Sequence, residues 1–259
     1  MQVHPGNCQH IGARSSQQDA FGFSDKDDQA FVAHGGVLAV VADGMGGMAC
    51  GGEASHLAVQ FFLQSYMAKP AGESVPVALL QALDKANQAI VNLAQQVGEE
   101  HVGTTLVAAV VHGEVLHWVS VGDSRLYLLR QGKLTQLTQD HVFAVELDRD
   151  AANGVISVLE AQSHPERAAL TSYLGLTQLD LIDQNPQAFE LVAGDQMLLC
   201  SDGLYAALDG GEIAACWTGD AQHLAEELVT TVLAKDRPGQ DNLTVAILGL
   251  GQPRQLKPQ

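Results

Sequence analysis

Hydrophobic residues fall along this chain in two rhythms, and each predicts a different kind of element. The segment Gly36-Val-Leu-Ala-Val-Val-Ala42 is apolar at every position and stops at Asp43-Gly44. Such a run reads as a strand buried on both faces and closed by a tight loop. Over residues 53–67 the apolar positions Ala54, Leu57, Ala58, Phe61, Phe62 and Tyr66 recur at helical spacing. Ser74 fits the N-cap of a second helix, whose apolar positions Val77, Leu80, Leu83, Ala86, Ile90 and Leu93 return every three or four residues. Beyond Gly103 the period shortens. Residues 104–111, 115–121, 125–129 and 133–137 are β-type runs separated by His112-Gly113, Gly122-Asp123 and Gln131-Gly132. Those dipeptides are hairpin signals, so the region is expected to form an antiparallel meander.

A polar, poorly periodic stretch, residues 138–165, is expected to be an irregular flap or short helices. Residues 196–200 read as a buried strand, 212–217 and 221–235 as helices, and 243–250 as a terminal strand, with 252–259 a frayed tail. There is no internal repeat, low-complexity tract or Pro/Ser-rich linker, so one domain is expected over 1–259. Helices inserted early among antiparallel strands, and again late, predict an α+β chain of sheets covered by helix layers.

Charge narrows the function. Lys and Arg number 13 against 30 Asp and Glu, a net charge of −17, while 46% of residues are hydrophobic and 17% charged. That balance belongs to a folded globular chain, because disordered chains combine low hydrophobicity with dense charge. The acid excess opposes nucleic-acid binding, which needs a basic face to displace counterions. It equally opposes attachment to anionic lipid. Bound cations suit it better. Cys8, Cys50, Cys200 and Cys216 are scattered, without a C-x-x-C pair or zinc-like spacing, and are expected to be small buried thiols of a reducing compartment. The opening residues lack a basic and apolar leader, and no apolar run approaches the roughly 18 residues of a membrane span. The cytoplasm and a monomer are the expectations.

Four aspartates stand in turns at the ends of predicted strands: Asp43-Gly44, Asp123-Ser124, Asp202-Gly203 and Asp241-Asn242. Each alone is an ordinary turn or N-cap residue. Asp43 and Asp202, however, end very apolar strands, where a lone carboxylate is costly to desolvate. Several such groups brought together would repel one another unless a divalent cation neutralised them. A carboxylate-rich, all-oxygen set suits Mg²⁺ or Mn²⁺, whereas zinc prefers His or Cys. Sequence alone leaves their convergence open.

The series Arg14-Ser-Ser-Gln-Gln-Asp19, Val41-Ala-Asp-Gly-Met-Gly-Gly47, Gly103-Thr-Thr105, Val121-Gly-Asp-Ser-Arg125, His164-Pro-Glu-Arg167, Cys200-Ser-Asp-Gly-Leu204 and Gln240-Asp-Asn-Leu-Thr-Val245 resembles the metal-dependent type 2C serine/threonine protein phosphatases in their compact bacterial form. The motifs run in family order from Arg14 to Val245. The resemblance implies a four-layer α-β-β-α sandwich, two antiparallel sheets flanked by helices, with a binuclear Mn²⁺/Mg²⁺ site at one edge. It implies hydrolysis of phosphoserine and phosphothreonine in proteins by a hydroxide bridging the two ions, in opposition to a Ser/Thr kinase. By the same resemblance Asp43 is the bridging carboxylate and the Gly44 carbonyl a ligand of one ion. Asp202 and Asp241 are ligands of the other, and Asp19 binds or orients metal-bound water. Asp123, with Asp202, holds a third, weaker ion, and Arg14 grips the phosphate. A planar Arg fork can hold two phosphate oxygens at once.

Two positions depart from the family pattern. Gln18 stands where a Glu is usual, and a neutral amide supplies no charge to a cation. Met45 stands where eukaryotic members carry a His proposed as proton donor. His141 and His164 fall on the flap side and are expected to be structural or solvent-exposed. The flap is where substrate choice is expected, since polar loops beside a rigid site commonly carry recognition. Gln18 is also the one feature favouring the alternative reading, a catalytically weakened phosphatase-fold module that binds or regulates. Gly44-Met-Gly-Gly-Met-Ala49 satisfies G-x-G-x-x-A after a strand, but no Asp or Glu follows between Ala54 and Ala71, where a dinucleotide site needs an acid about 20 residues on.

Overall fold

The computed structural model describes residues 2–45, 50–99, 101–185 and 187–251. The expected frayed tail, residues 252–259, and residues 46–49 of the glycine-rich motif lie outside the described residues. In chain order the elements open with β1 (Val3–His10), β2 (Asp19–Phe23), α1 (Gln29–Gly35) and β3 (Val37–Asp43). Two long helices follow, α2 (Gly51–Met67) and α3 (Val75–Val97), then β4 (Leu106–His112), β5 (Val115–Val121), β6 (Arg125–Arg130) and β7 (Lys133–Gln136). Next come α4 (Phe143–Ala152), α5 (Val158–Ser163), β8 (Asp183–Gln184), β9 (Phe189–Glu190) and β10 (Gln196–Cys200). The chain closes with α6 (Asp202–Tyr205), α7 (Gly210–Ala215), α8 (Ala221–Ala234) and β11 (Leu243–Leu250).

The strands form two sheets, ordered β1-β11-β10-β6-β7 and β2-β3-β4-β5-β8, with β9 also paired to β5. All of these pairings are antiparallel. Period-two alternation explains why the all-apolar run of β3 was needed. Leu38, Val40 and Ala42 face α2 and α3, while Val37, Ala39 and Val41 face the other sheet. Strand β11 divides likewise, with Ala246, Leu248 and Leu250 between the sheets and Leu243, Val245 and Ile247 against α6, α7 and α8. The result is the α-β-β-α sandwich. Among the described residues no helix is long and apolar enough to cross a membrane.

The expected meander is corrected. Strands β4 and β5 form one hairpin and β6 and β7 another, but the chain leaves one sheet for the other at Gly122-Asp123-Ser124. Gly122 has φ +97°, and a Cβ there would lie 2.7 Å from the Thr105 side chain. The dipeptide therefore makes a corner that turns against β4 and not a hairpin. Ser74 does occupy the N-cap of α3, but its hydroxyl makes no capping bond. Helix α7 begins earlier than expected because Asp209 and Glu212 form a capping box. The cysteines carry free thiols; only Cys200 is fully buried, and Cys8, Cys50 and Cys216 are half-buried. Their positions at an edge strand and at helix ends leave one side of each uncovered. The flap consists of the short helices α4 and α5, held by a bidentate Arg167–Asp148 pair. His164 packs edge-on against Phe143 there.

Candidate active site

The aspartates at the strand ends meet at one edge of the sandwich. Asp19 opens β2 and Asp43 closes β3, and the two are direct cross-strand partners. Asp202 begins α6 immediately after β10, Asp241 precedes β11, and Asp123 occupies the corner between sheets. Together with Arg14, Gly44, Met45 and Thr105, the residues Asp43, Asp123, Asp202 and Asp241 line a single cleft of about 240 Å³. Asp19 is buried behind Asp43 and does not line the cleft. The structure thus brings Arg14, Asp43, Gly44, Asp123, Asp202 and Asp241 to one cleft, with Asp19 behind Asp43, while His141 and His164 lie with the flap.

Local bonding fixes these groups. The Asp43 carbonyl accepts from Thr104 Oγ1 at 2.8 Å and from the Thr105 N–H at 2.9 Å, and its own N–H donates to Thr105 Oγ1 at 3.0 Å. Thr105 in turn meets Ser124 at 2.6 Å, which ties the end of β3 to the sheet-crossing corner. Gly44 has no room for a side chain, because a Cβ would lie 2.1 Å from the Gly51 carbonyl oxygen. Behind the cleft, Ser201 Oγ and Thr244 Oγ1 each donate to Asp19 Oδ2 at 2.7 Å. That leaves Asp19 Oδ1, and likewise Asp202 Oδ1, buried without a hydrogen-bond partner among the described residues.

The electrostatics follow from this crowding. Burial raises the Asp43 carboxyl well above the ordinary carboxylate range, reinforced by Asp19, Asp202 and Asp123. Burial and then the charges of Asp123, Asp241 and Asp19 push Asp202 up to about 7. Asp19 is raised by burial against the opposing pull of the Thr244 and Ser201 hydroxyls. Asp123 is raised by burial despite its bond from Tyr205. The cleft is therefore a place where negative charge is held at a cost that a cation would relieve.

Orphaned buried carboxylate oxygens, clustered acids and an all-oxygen donor set fit hard dications such as Mn²⁺ or Mg²⁺. The residues that could hold them are Asp43, Gly44, Asp202 and Asp241, with Asp19 behind and Asp123 to one side. As they stand, no three His, Cys, Asp or Glu side chains among the described residues close into a preformed ligand cage. Arg14 reaches over the mouth and pairs with Asp241, Nη2 to Oδ2 at 2.6 Å, both side chains well exposed. Exposed pairs of this kind are worth only about 0–1 kcal/mol, so the guanidinium is readily released to another anion.

Several residues in or beside the quoted motifs carry roles that reading the motifs did not assign. Asn242, buried, accepts from the Gln18 N–H at 2.7 Å and donates to the carbonyls of Ile11 at 2.8 Å and Ser16 at 3.1 Å. It fastens the loop bearing Arg14 to the segment that carries Asp241 into β11. Replacing Asn242 with Ala is expected to destabilise the fold by about 1–3 kcal/mol, because those backbone groups lose their partner. Anion binding at Arg14 should weaken as its loop loosens, and denaturant unfolding alongside phosphate-binding titrations would read both. Unchanged stability would show that the loop is held some other way. Tyr205 donates to the Asp123 carbonyl or carboxylate, both at 3.1 Å, with Arg125 stacked 3.5 Å over its ring. Arg125 is itself clamped by Asp140 through Nε and Nη2. The signal for these lay in the polar residues flanking each Asp, which spacing does not rank. His141 is buried, accepts from the Gly122 N–H at 3.2 Å and pins the flap's root; burial lowers its imidazole pKa.

Comparison with known proteins supplies relatives. Residues 8–237 match the family Protein phosphatase 2C. A serine/threonine phosphatase, stp, of Listeria welshimeri is 33% identical over 230 residues, covering 87% of this chain and 86% of its own. The crystal structure of the Mycobacterium tuberculosis serine/threonine phosphatase PstP/Ppp is 30% identical with a TM-score of 0.76, over 96% of this chain and 99% of that one. The catalytic domain of PstP solved in complex with two manganese ions is 29% identical, TM-score 0.75, over the same shares.

Proposed function

From its membership of the protein phosphatase 2C family, which makes this chain a metal-dependent protein serine/threonine phosphatase, we propose that it hydrolyses phosphoserine and phosphothreonine in proteins at the carboxylate cleft, opposing a Ser/Thr kinase as a cytoplasmic monomer. The observation that carries the reading is the convergence of Asp43, Asp202 and Asp241 on one cleft, where Asp202 Oδ1 lacks a partner among the described residues and crowded carboxylates favour cations. Asp43, the Gly44 carbonyl, Asp202 and Asp241 would hold two Mn²⁺ or Mg²⁺ ions, with a third near Asp123. When bound, the ions would supply a water nucleophile of lowered pKa and positive charge for the phosphoryl oxygens.

The chain's own residues do the rest. Arg14 leaves Asp241 to grip two phosphate oxygens at the mouth and so aligns the phosphorus over the carboxylates. Asp19, fixed by Ser201 and Thr244, holds Asp43 in place from behind and offers one free oxygen to an ordered water. No imidazole lines the cleft among the described residues, so the leaving seryl or threonyl oxygen takes its proton from solvent water. In-line attack on a phosphomonoester so positioned forms no covalent enzyme intermediate.

The test is turnover of p-nitrophenyl phosphate and of phosphothreonine peptides with Mn²⁺ and with EDTA. Activity should appear with Mn²⁺ and fall to background with EDTA. Phosphopeptide binding without turnover would instead favour the regulatory module that Gln18 suggests, and turnover indifferent to EDTA would overturn the metal-dependent reading. The flap is proposed to select substrate. Shortening it across α5 is expected to alter preference among phosphopeptides far more than p-nitrophenyl phosphate turnover, and equal losses on both would remove that role.

A further inference from the structure

A second cleft, of about 320 Å³, runs along the base of the flap. It lies back to back with the carboxylate cleft across a thin wall. Val142 and Leu170 are bridged as antiparallel partners. Ala168 and Leu170 line the carboxylate cleft, whereas Val142 and the next residue along, Thr171, line the second one. The wall is braced rather than loose: the Thr171 N–H donates to the His141 carbonyl at 2.9 Å and the His141 N–H donates to Gly122 at 3.0 Å.

The lining of this second cleft combines aliphatic surface with uncancelled negative charge. Val145, Leu181 and Ile182 are 39%, 43% and 36% exposed. Glu146, Asp180 and Asp183 supply carboxylates, and none of them pairs with a cation among the described residues. Asp183 accepts from the Trp118 indole and the Gln139 N–H, each at 3.2 Å, and Asp180 accepts from the Gln178 amide at 2.7 Å. Those neutral donors orient the carboxylates and leave their charge in place. Asp140 also borders the cleft, but Arg125 already neutralises it. Among the described residues the lining carries one cation, Arg149, which also lies 3.8 Å from Asp150, so the carboxylates outnumber it.

An aliphatic trough with carboxylates along it matches a long basic side chain, whose methylene stem buries against Val145, Leu181 and Ile182 while its head reaches the acids. A nucleic acid or an anionic lipid would be repelled, and a second copy of a chain of net charge −17 would be repelled too. Resting on the phosphatase reading above, we infer that this cleft receives an Arg or Lys of the phosphoprotein substrate, a few residues along the chain from the phosphorylated side chain.

Paired phosphothreonine peptides test it, one with Arg at flanking positions and one with Ala, assayed on the wild-type protein and on the Glu146→Gln/Asp180→Asn double variant. Neither residue belongs to the catalytic cleft. The wild type is expected to favour the Arg peptide by about tenfold in kcat/KM, carried by KM, as two partly exposed ion pairs allow. The double variant should lose that preference while p-nitrophenyl phosphate turnover stays unchanged. Raising salt should erode the wild-type preference as well. No preference in the wild type, or a preference that survives the double substitution, overturns the inference. Fluorescence anisotropy of the same peptides decides the matter even without turnover, so failure of the phosphatase reading, seen with p-nitrophenyl phosphate, stays separate from failure of this cleft.

Discussion

Replacing Asp43 with Asn is expected to abolish turnover, by about 10³-fold or more, while making the metal-free protein more stable. The two effects have one cause. Asp43 is crowded by Asp19, Asp202 and Asp123, all of which raise its carboxyl pKa. An amide of the same shape removes that repulsion. Its Nδ2 can also donate to Asp19 Oδ1, which otherwise has no partner and whose residue is the direct cross-strand neighbour. Stabilisations of this type amount to about 1–2 kcal/mol. The same change removes the carboxylate proposed to be shared between two ions, so a Mn²⁺-induced rise in melting temperature should vanish with the activity. Calorimetry with and without Mn²⁺, beside p-nitrophenyl phosphate kinetics, reads all three. A variant that melts lower than wild type without metal would mean that Asp43 holds the fold together, and the electrostatic account of the cleft would fail.

What the sequence disclosed and what it hid follow from how far each signal reaches. Strand β3 was legible because a run apolar at every position can only be buried on both faces, and both faces are indeed covered. Helix α3 was legible from its period. Strand β1 was not: Pro5, Gly6 and several polar residues give it no strand signal, and it forms as an edge strand paired only with β11, where a missing N–H is tolerated. The split of the meander was hidden for a related reason. Gly122-Asp123 announces a turn, but the sheet that takes the next strand is decided by β10, which pairs with β6 from much later in the chain.

The site divides along the same line. Asp43 and Asp202 stood out because each sits at the end of an apolar strand, where desolvation demands an explanation; Asp123 and Asp241 read only as turn residues, and Asp19 entered only through the resemblance. Asn242 and Tyr205 carried no such demand. Asn242 is a turn former by composition, and its value lies in contacts with Ile11, Ser16 and Gln18 at the opposite end of the chain. Tyr205 matters through Asp123, held in the corner that the sequence misread as a hairpin. Residue type discloses chemistry; the supporting shell is disclosed only by topology.

The pH dependence of stability should run opposite to that of a protein held by ion pairs. Asp202 has an ordinary carboxyl value of 3.8 unfolded and about 7 folded. Between those values the folded state keeps a proton that the unfolded state has released, so stability falls as pH rises from about 4 to about 7. Asp43, Asp19 and Asp123 are shifted in the same upward direction and add to the fall. Carboxylates shifted downward by partners, such as Asp148 beside Arg167 and Glu212 beside Lys235, act the other way. Their share is lost as pH drops below the ordinary carboxylate range and sets the acid limit of the optimum. The melting temperature of metal-free protein is therefore expected to be highest in mild acid and to decline toward pH 7.5. Mn²⁺ should reverse the decline, because a cation takes the place of the protons. At about 100 times its dissociation constant it contributes about 2.7 kcal/mol, or about 5–10 °C for a chain of this size. At pH 5 the shift should shrink, since protons then hold the same oxygens. A pH series of melting curves with EDTA and with Mn²⁺ checks each part. Metal-free stability that climbs steadily from pH 5 to pH 7.5, or a Mn²⁺ shift as large at pH 5 as at pH 7.5, would mean that these carboxylates do not share one repulsive cluster, and the proposed ion pair would lose its physical basis.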